Sequence, residues 1–133
     1  MSHRFLGGLV VCTSLLIGSP TLAHHAIQAQ FDFSKEMQLT GVLTRVEWIN
    51  PHAHFVMDVK DASGKVTTYR LETLGPGGLR RAGLSRVGVF AVGETHTANV
   101  YTSRDGSPLV WLKDITDREG RKITIWFGDP TPQ

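Results

Sequence analysis

The stretch from residue 52 to residue 73 constrains the fold more than any other part of the chain. Two alternating runs flank Asp61-Ala62-Ser63-Gly64-Lys65, a turn sequence with glycine where a three-residue hairpin loop needs a left-handed residue. Before the turn, Ala53, Phe55, Met57 and Val59 share one face, and His52, His54, Val56 and Asp58 share the other. After it, Thr67, Tyr69, Leu71 and Thr73 alternate with Val66, Thr68, Arg70 and Glu72. Closing Asp61 against Lys65 sets Met57 opposite Tyr69 and Phe55 opposite Leu71, apolar against apolar, and sets His54 opposite Glu72.

Further strand signals surround this hairpin. Runs rich in β-branched and aromatic residues between glycine-marked turns predict strands at Met37–Ile49, His52–Lys60 and Val66–Thr73. Others follow at about Thr95–Thr102, Leu109–Thr116 and Arg121–Phe127, with turns at Arg104-Asp105-Gly106-Ser107 and at residues 117–120. The apolar phase of the first run (Met37, Leu39, Leu43) slips to Val46 and Trp48, which predicts a bulge or sharp bend close to Gly41. Gly75-Pro76-Gly77-Gly78 breaks the sheet, and Leu79–Leu84 offers a short helix. Three meandering strands, a short helix and a further hairpin follow the order of a small antiparallel OB-like barrel of five to six strands. The expected class is mainly β, with residues 37–133 as one OB-like β-barrel domain. Residues 24–36 form a polar lead-in tethered by Phe31 and Phe33. An immunoglobulin-type sandwich would need about seven strands and has no place for the helix.

The N-terminus reads as a leader. Arg4 precedes an apolar run from Leu6 to Gly18, and Ser19-Pro20-Thr21-Leu22-Ala23 makes a small-residue exit. The run is shorter than the roughly 20 apolar residues that span a bilayer, so it reads as a cleavable secretory signal over residues 1–23. Cleavage after Ala23 makes His24 the new N-terminus; a cut after Ala29 would remove His24 and His25. The expected destination is a bacterial periplasm, with no stable membrane insertion after cleavage.

Charge and cysteine usage narrow the chemistry. A formal net charge of +2 on 133 residues leaves no basic surplus for general nucleic-acid binding. The single cysteine, Cys12, lies in the leader, so the mature chain has no disulfide, thiolate ligand or cysteine nucleophile. Histidine is what remains: of six, all but His3 lie beyond the leader.

Those histidines give two metal candidates. A terminal amine and the imidazole of His24 can chelate one ion, with His25 adjacent and a third nitrogen completing a T-shaped copper site. His52-Ala53-His54 places two imidazoles on one strand face, where Glu72 or Asp58 could orient a ring or supply an oxygen. The competing explanations are a permissive terminus that happens to carry histidines and two rings on a solvated sheet face. His96 shares the phase of Ala98 and Val100, an apolar face, and is expected to be structural. The glycine-rich turn with Arg80 and Arg81, near Arg70 and Arg86, could hold a carboxylate or phosphate, although a solvated helix face is the preferred reading. Trp48, Trp111, Trp126 and Tyr101 could form a stacking platform, but aromatics at strand phase are more often core. No serine sits in a glycine-flanked elbow and no carboxylate pair is placed for acid–base work.

Several segments together resemble a family of small exported bacterial proteins known only as a domain of unknown function. They are Ala23-His24-His25, Gln30-Phe31-Asp32, the run from Leu39 to Ala53 with its Trp48-Ile49-Asn50-Pro51-His52 segment, Val59-Lys60-Asp61 with Gly64-Lys65, Leu79-Arg80-Arg81, Val92-Gly93-Glu94, Arg104-Asp105-Gly106-Ser107 and the Asp117–Arg121 turn. The resemblance implies a periplasmic single-domain protein with no assigned reaction. Its pattern includes the double histidine and His52. An aromatic is expected at the place of His54 and an aliphatic at that of His96. The resulting expectation is a periplasmic binding module for a copper-type ion, held by His24, His25 and His52 with His54 and Glu72 as secondary ligands. The alternative is a metal-free module that binds a periplasmic protein or small ligand. Binding is expected rather than catalysis, by a monomer with no nucleic-acid partner.

Overall fold

In the computed structural model, residues 27–84, 90–117 and 119–125 are described. The leader, His24, His25, Arg86 and Trp126 lie outside them. The 52–73 hairpin forms with the expected register: β2 (His54–Lys60) and β3 (Val66–Glu72) pair Met57 with Tyr69, Phe55 with Leu71 and His54 with Glu72. Asp61 makes the turn. Its carboxylate accepts hydrogen bonds from the Ser63 hydroxyl and from the Ser63 and Lys65 amides, while Gly64 takes a φ of 89°. The Ser63 hydroxyl, with those amides, holds the Asp61 carboxyl below its ordinary range against the opposing effect of burial.

Preceding the hairpin, β1 (Phe31–Glu47) is longer than the sequence suggests, because residues expected as lead-in are already strand. Phe31 pairs with Ser103, and a register shift between Asp32 and Glu36 lets the strand depart from its partner and return. The predicted phase slip is real and falls between Leu43 and Arg45 in the pairing with β2. Gly41 has a separate role: a Cβ there would stand 2.4 Å from the Asp58 carbonyl oxygen, so only glycine permits this strand approach.

After β3 comes α1 (Pro76–Arg81), which starts and ends earlier than predicted because Pro76 fits a first helical turn. Residues 90–94 form a bend and a turn. β4 (Thr95–Ser103), β5 (Leu109–Thr116) and a short β6 (Lys122–Thr124) complete one mainly antiparallel sheet in the order β3-β2-β1-β4-β5-β6. The N-terminal half of β5 also pairs in parallel with β3, through Arg70 with Leu109 and Glu72 with Trp111. Strands β1, β2, β3, β5 and β4 therefore close a ring of hydrogen bonds.

The ring encloses Leu39, Leu43, Phe55, Met57, Leu71, Val100, Leu112 and Ile115, with Leu79 of α1 packed against them. Truncating a fully buried Leu or Phe of this kind costs about 2–5 kcal/mol. A second cluster holds Ile27, Phe31, Tyr101 and Trp111, with Phe33 and Leu109 against it. Ile27 belongs to a helical stretch, residues 27–30, whose Gln30 carbonyl accepts from the Arg104 amide and whose Gln28 carbonyl accepts from the Arg104 guanidinium. The stretch before β1 is thereby fixed to the β4–β5 turn. Among the described residues no helix is long and apolar enough to cross a membrane.

Candidate functional site

His52 sits at the end of the β2–β3 ladder. The Asn50–Pro51 peptide before it is cis, and the ladder runs one residue past β2: Thr73 N–H donates to the Ala53 carbonyl and Ala53 N–H to that of Leu74. Gly75 closes against this connection so tightly that a Cβ on it would lie 2.2 Å from the Pro51 carbonyl oxygen. His52 is thus held between the sheet end and the chain entering α1.

Its ring makes two contacts. Nδ1 is hydrogen-bonded to Glu72 Oε1, and the indole of Trp111 stands edge-on with ring centroids 5.4 Å apart. A carboxylate has no proton to give, so Nδ1 donates, and in the neutral ring the lone pair is therefore on Nε2. Nε2 has no hydrogen-bond partner among the described residues, and the side chain is 26% exposed.

His54 lies on the same strand face, as the spacing required, but in a different setting. Its Nε2 is 4.0 Å from Glu72 Oε2, Nδ1 is 3.8 Å from Glu47 Oε2, and Arg70 Nη2 approaches Nδ1 at 3.4 Å. Burial, then the Arg70 guanidinium, lowers its pKa from the ordinary histidine value against the pull of Glu72 and Glu47. Burial alone would raise Glu47, but Arg70 and Arg45 outweigh it and hold that carboxyl below its usual range. Arg45, Glu47, Arg70, His54, Glu72 and His52 therefore form one strip of alternating charge across β1, β2 and β3. Asp58 is not part of it: it accepts a hydrogen bond from the Thr68 hydroxyl at 2.6 Å.

Beside His52 opens a cavity of about 330 Å³. Ile27, Leu74 and Trp111 give it apolar walls, while Asn50, Arg81 and the glycines of the 75–78 turn supply polar groups. The sequence treated His52 and Arg81 as unrelated candidates; they line the same space. Arg80 and Arg81 are both exposed, but only Arg81 lines it.

His24 and His25 lie outside the described residues, so the structure brings together only His52, His54 and Glu72 of the expected ligands. Among the described residues, no group of three or more His, Cys, Asp or Glu side chains is arranged to hold a metal ion. His96 is structural as expected: it is 1% exposed, with Nδ1 2.8 Å from the Thr116 carbonyl and Nε2 3.3 Å from that of Ala91. Trp48 packs on the main core while Trp111 and Tyr101 are buried in the second cluster, so these three form no shared stacking surface.

Comparison with known proteins places the chain at the level of family alone. The chain belongs to a family of unknown function (DUF6152), whose sequence model matches residues 11–110. That range contains the whole Arg45–Glu72 strip, Arg81 and the 50–52 connection. A search of curated proteins found no match, and neither did a search of solved structures.

Proposed function

We propose that this chain is an exported periplasmic binding module, an OB-like barrel that holds a copper-type ion through His24, His25 and His52. Support for the barrel is the order of its ring, the helix between β3 and β4, and a first strand that pairs on both sides. In the metal site, the amine and imidazole of His24 supply two nitrogens and His52 Nε2 the third, with His25 an adjacent donor. Glu72 orients the His52 ring through Nδ1, the carboxylate–histidine–metal arrangement that fixes tautomer and raises ligand basicity. His54 stands behind this pair and serves as a weaker alternative donor. With Cys12 confined to the leader, nitrogen and oxygen are the only strong donors, which suits Cu(II).

One observation carries the reading. Ile27 and His52 line the same cavity, and His24 precedes Ile27 by three residues, a reach of about 10 Å of extended chain. Ile27 also favours cleavage after Ala23 over Ala29, because the later cut would remove a side chain packed against Phe31, Tyr101 and Trp111.

The test joins the intact mass of the exported protein to a Cu(II) titration of that form. We expect a mature chain beginning at His24 that binds Cu(II) more tightly than a free peptide of residues 24–28. His52→Ala should weaken binding more than His96→Ala. A mature chain beginning at Gln30, or affinity no better than the peptide's, overturns the proposal.

A further inference from the structure

The cavity beside His52 has a charge pattern that the metal site does not use. Across the described residues, the arginines on the sheet are matched, Arg45 and Arg70 bridging to Glu47, and Arg121 before β6 bridges to Asp117 and Glu119. Arg81 has no carboxylate or hydrogen-bond partner among the described residues. His52, the other basic group on the cavity, is already matched by Glu72. The cavity therefore carries one unmatched positive charge.

Arg81 is exposed, and geometry places its charge at the mouth of the cavity. Arg81 closes α1, and helical side chains lean back toward the N-terminus of their helix. Its Nη1 lies 3.7 Å from the point where a Cβ on Gly77 would be, so the guanidinium folds over the glycine turn that floors the cavity. Asn50 flanks the same floor, with Oδ1 3.5 Å from the Cβ position of Gly75. Its amide NH₂ is a second donor type, and a guanidinium offers a planar pair of N–H groups that matches a carboxylate. Across from these polar groups stand Ile27, Leu74 and Trp111.

We propose that this cavity binds a small organic monocarboxylate. The carboxylate sits on the Arg81 guanidinium with the Asn50 amide beside it, and a compact apolar body packs against Trp111, Leu74 and Ile27. At about 330 Å³ the cavity is at the lower end of volumes that enclose small molecules, which limits the body to roughly a single ring or short chain. Apolar walls opposite one unmatched cation distinguish this ligand from inorganic phosphate, which would leave those walls exposed to water. The inference stands apart from the metal reading and needs no metal ion.

The experiment titrates the chelator-treated full chain with benzoate, following backbone amide and Trp indole NMR signals. Saturable shifts should centre on Asn50, His52, Gly77 and the Trp111 indole. Benzamide, the neutral analogue, and inorganic phosphate should each bind at least tenfold more weakly than benzoate. Arg81→Ala should weaken benzoate at least tenfold, while Arg80→Ala, one residue away and off the cavity, stays within twofold of the unaltered chain. Equal binding of benzamide, equal binding of phosphate, shifts elsewhere on the molecule, or an unaffected Arg81→Ala variant each overturns the proposal. The two readings fail separately: Arg81→Ala should keep its Cu(II) affinity, whereas His52→Ala should lose it.

Discussion

His52 Nδ1 is hydrogen-bonded to Glu72 Oε1 across the end of the β2–β3 ladder, two residues beyond the register pair His54–Glu72. One carboxylate thus reaches both histidines of the His52-Ala53-His54 segment, with Oε1 on His52 and Oε2 4.0 Å from His54. The pair fixes which nitrogen of His52 is free to bind. Replacing Glu72 by Ala should therefore lower Cu(II) affinity by about 10–100-fold without removing a primary ligand. Calorimetric titration of Glu72→Ala beside His52→Ala checks this, and His52→Ala should lose more.

His54 should titrate below the ordinary histidine value, because burial and then Arg70 disfavour its cation. Arg70→Ala removes the second of these effects and should raise the midpoint, read from the ring proton signals. The sign for stability follows from proton uptake. The unfolded chain, with an ordinary histidine, binds the proton at higher pH than the folded one. This group therefore stabilises the fold most above about pH 6.5, and its contribution declines as pH falls below that value.

Gly75 should resist substitution. A Cβ at 2.2 Å from the Pro51 carbonyl oxygen forces backbone to move, and both the 50–52 connection and α1 entry would shift. Gly75→Ala is expected to cost about 1–3 kcal/mol in urea unfolding, the usual range for forced overpacking, and to weaken Cu(II) binding through displacement of His52. Gly77→Ala provides the contrast, since its Cβ would meet only Arg81 Nη1 at an ordinary 3.7 Å.

The β4–β5 turn should loosen in acid. The Ser107 amide and hydroxyl, with the Ser103 hydroxyl, lower the Asp105 carboxyl to about 2. Its stabilising effect is fully present above the ordinary value of 3.8 and is lost as pH falls toward 2. Protection of the Ser103–Ser107 amides, taken relative to the intrinsic exchange rate at each pH, should fall over that interval, and Asp105→Asn should make that protection insensitive to it.

Local pattern made the hairpin legible in the sequence, and with it the His54–Glu72 pairing, because turn chemistry and alternation agree there. The phase slip from Leu43 to Val46 likewise announced the bulge. Glu47 was not visible as a neighbour of His54, since that pairing depends on how the bulge resets the β1–β2 register. The contact of Arg81 with the His52 cavity was hidden for a different reason. It requires the non-local approach of the 74–75 link to Pro51, where the only local sign is a glycine with no obvious need to be one. Ile27 falls in the polar lead-in, for which only Phe31 and Phe33 are expected as tethers, and its packing with Trp111, far along the chain, makes it part of the fold.

The central claim is that His52 and the new N-terminus meet on one ion, and electron paramagnetic resonance of Cu(II) bound to the chain beginning at His24 tests it most directly. The nitrogen hyperfine pattern should report at least three nitrogen donors, and His52→Ala should lose one of them. Superimposable spectra from the two proteins would contradict the account.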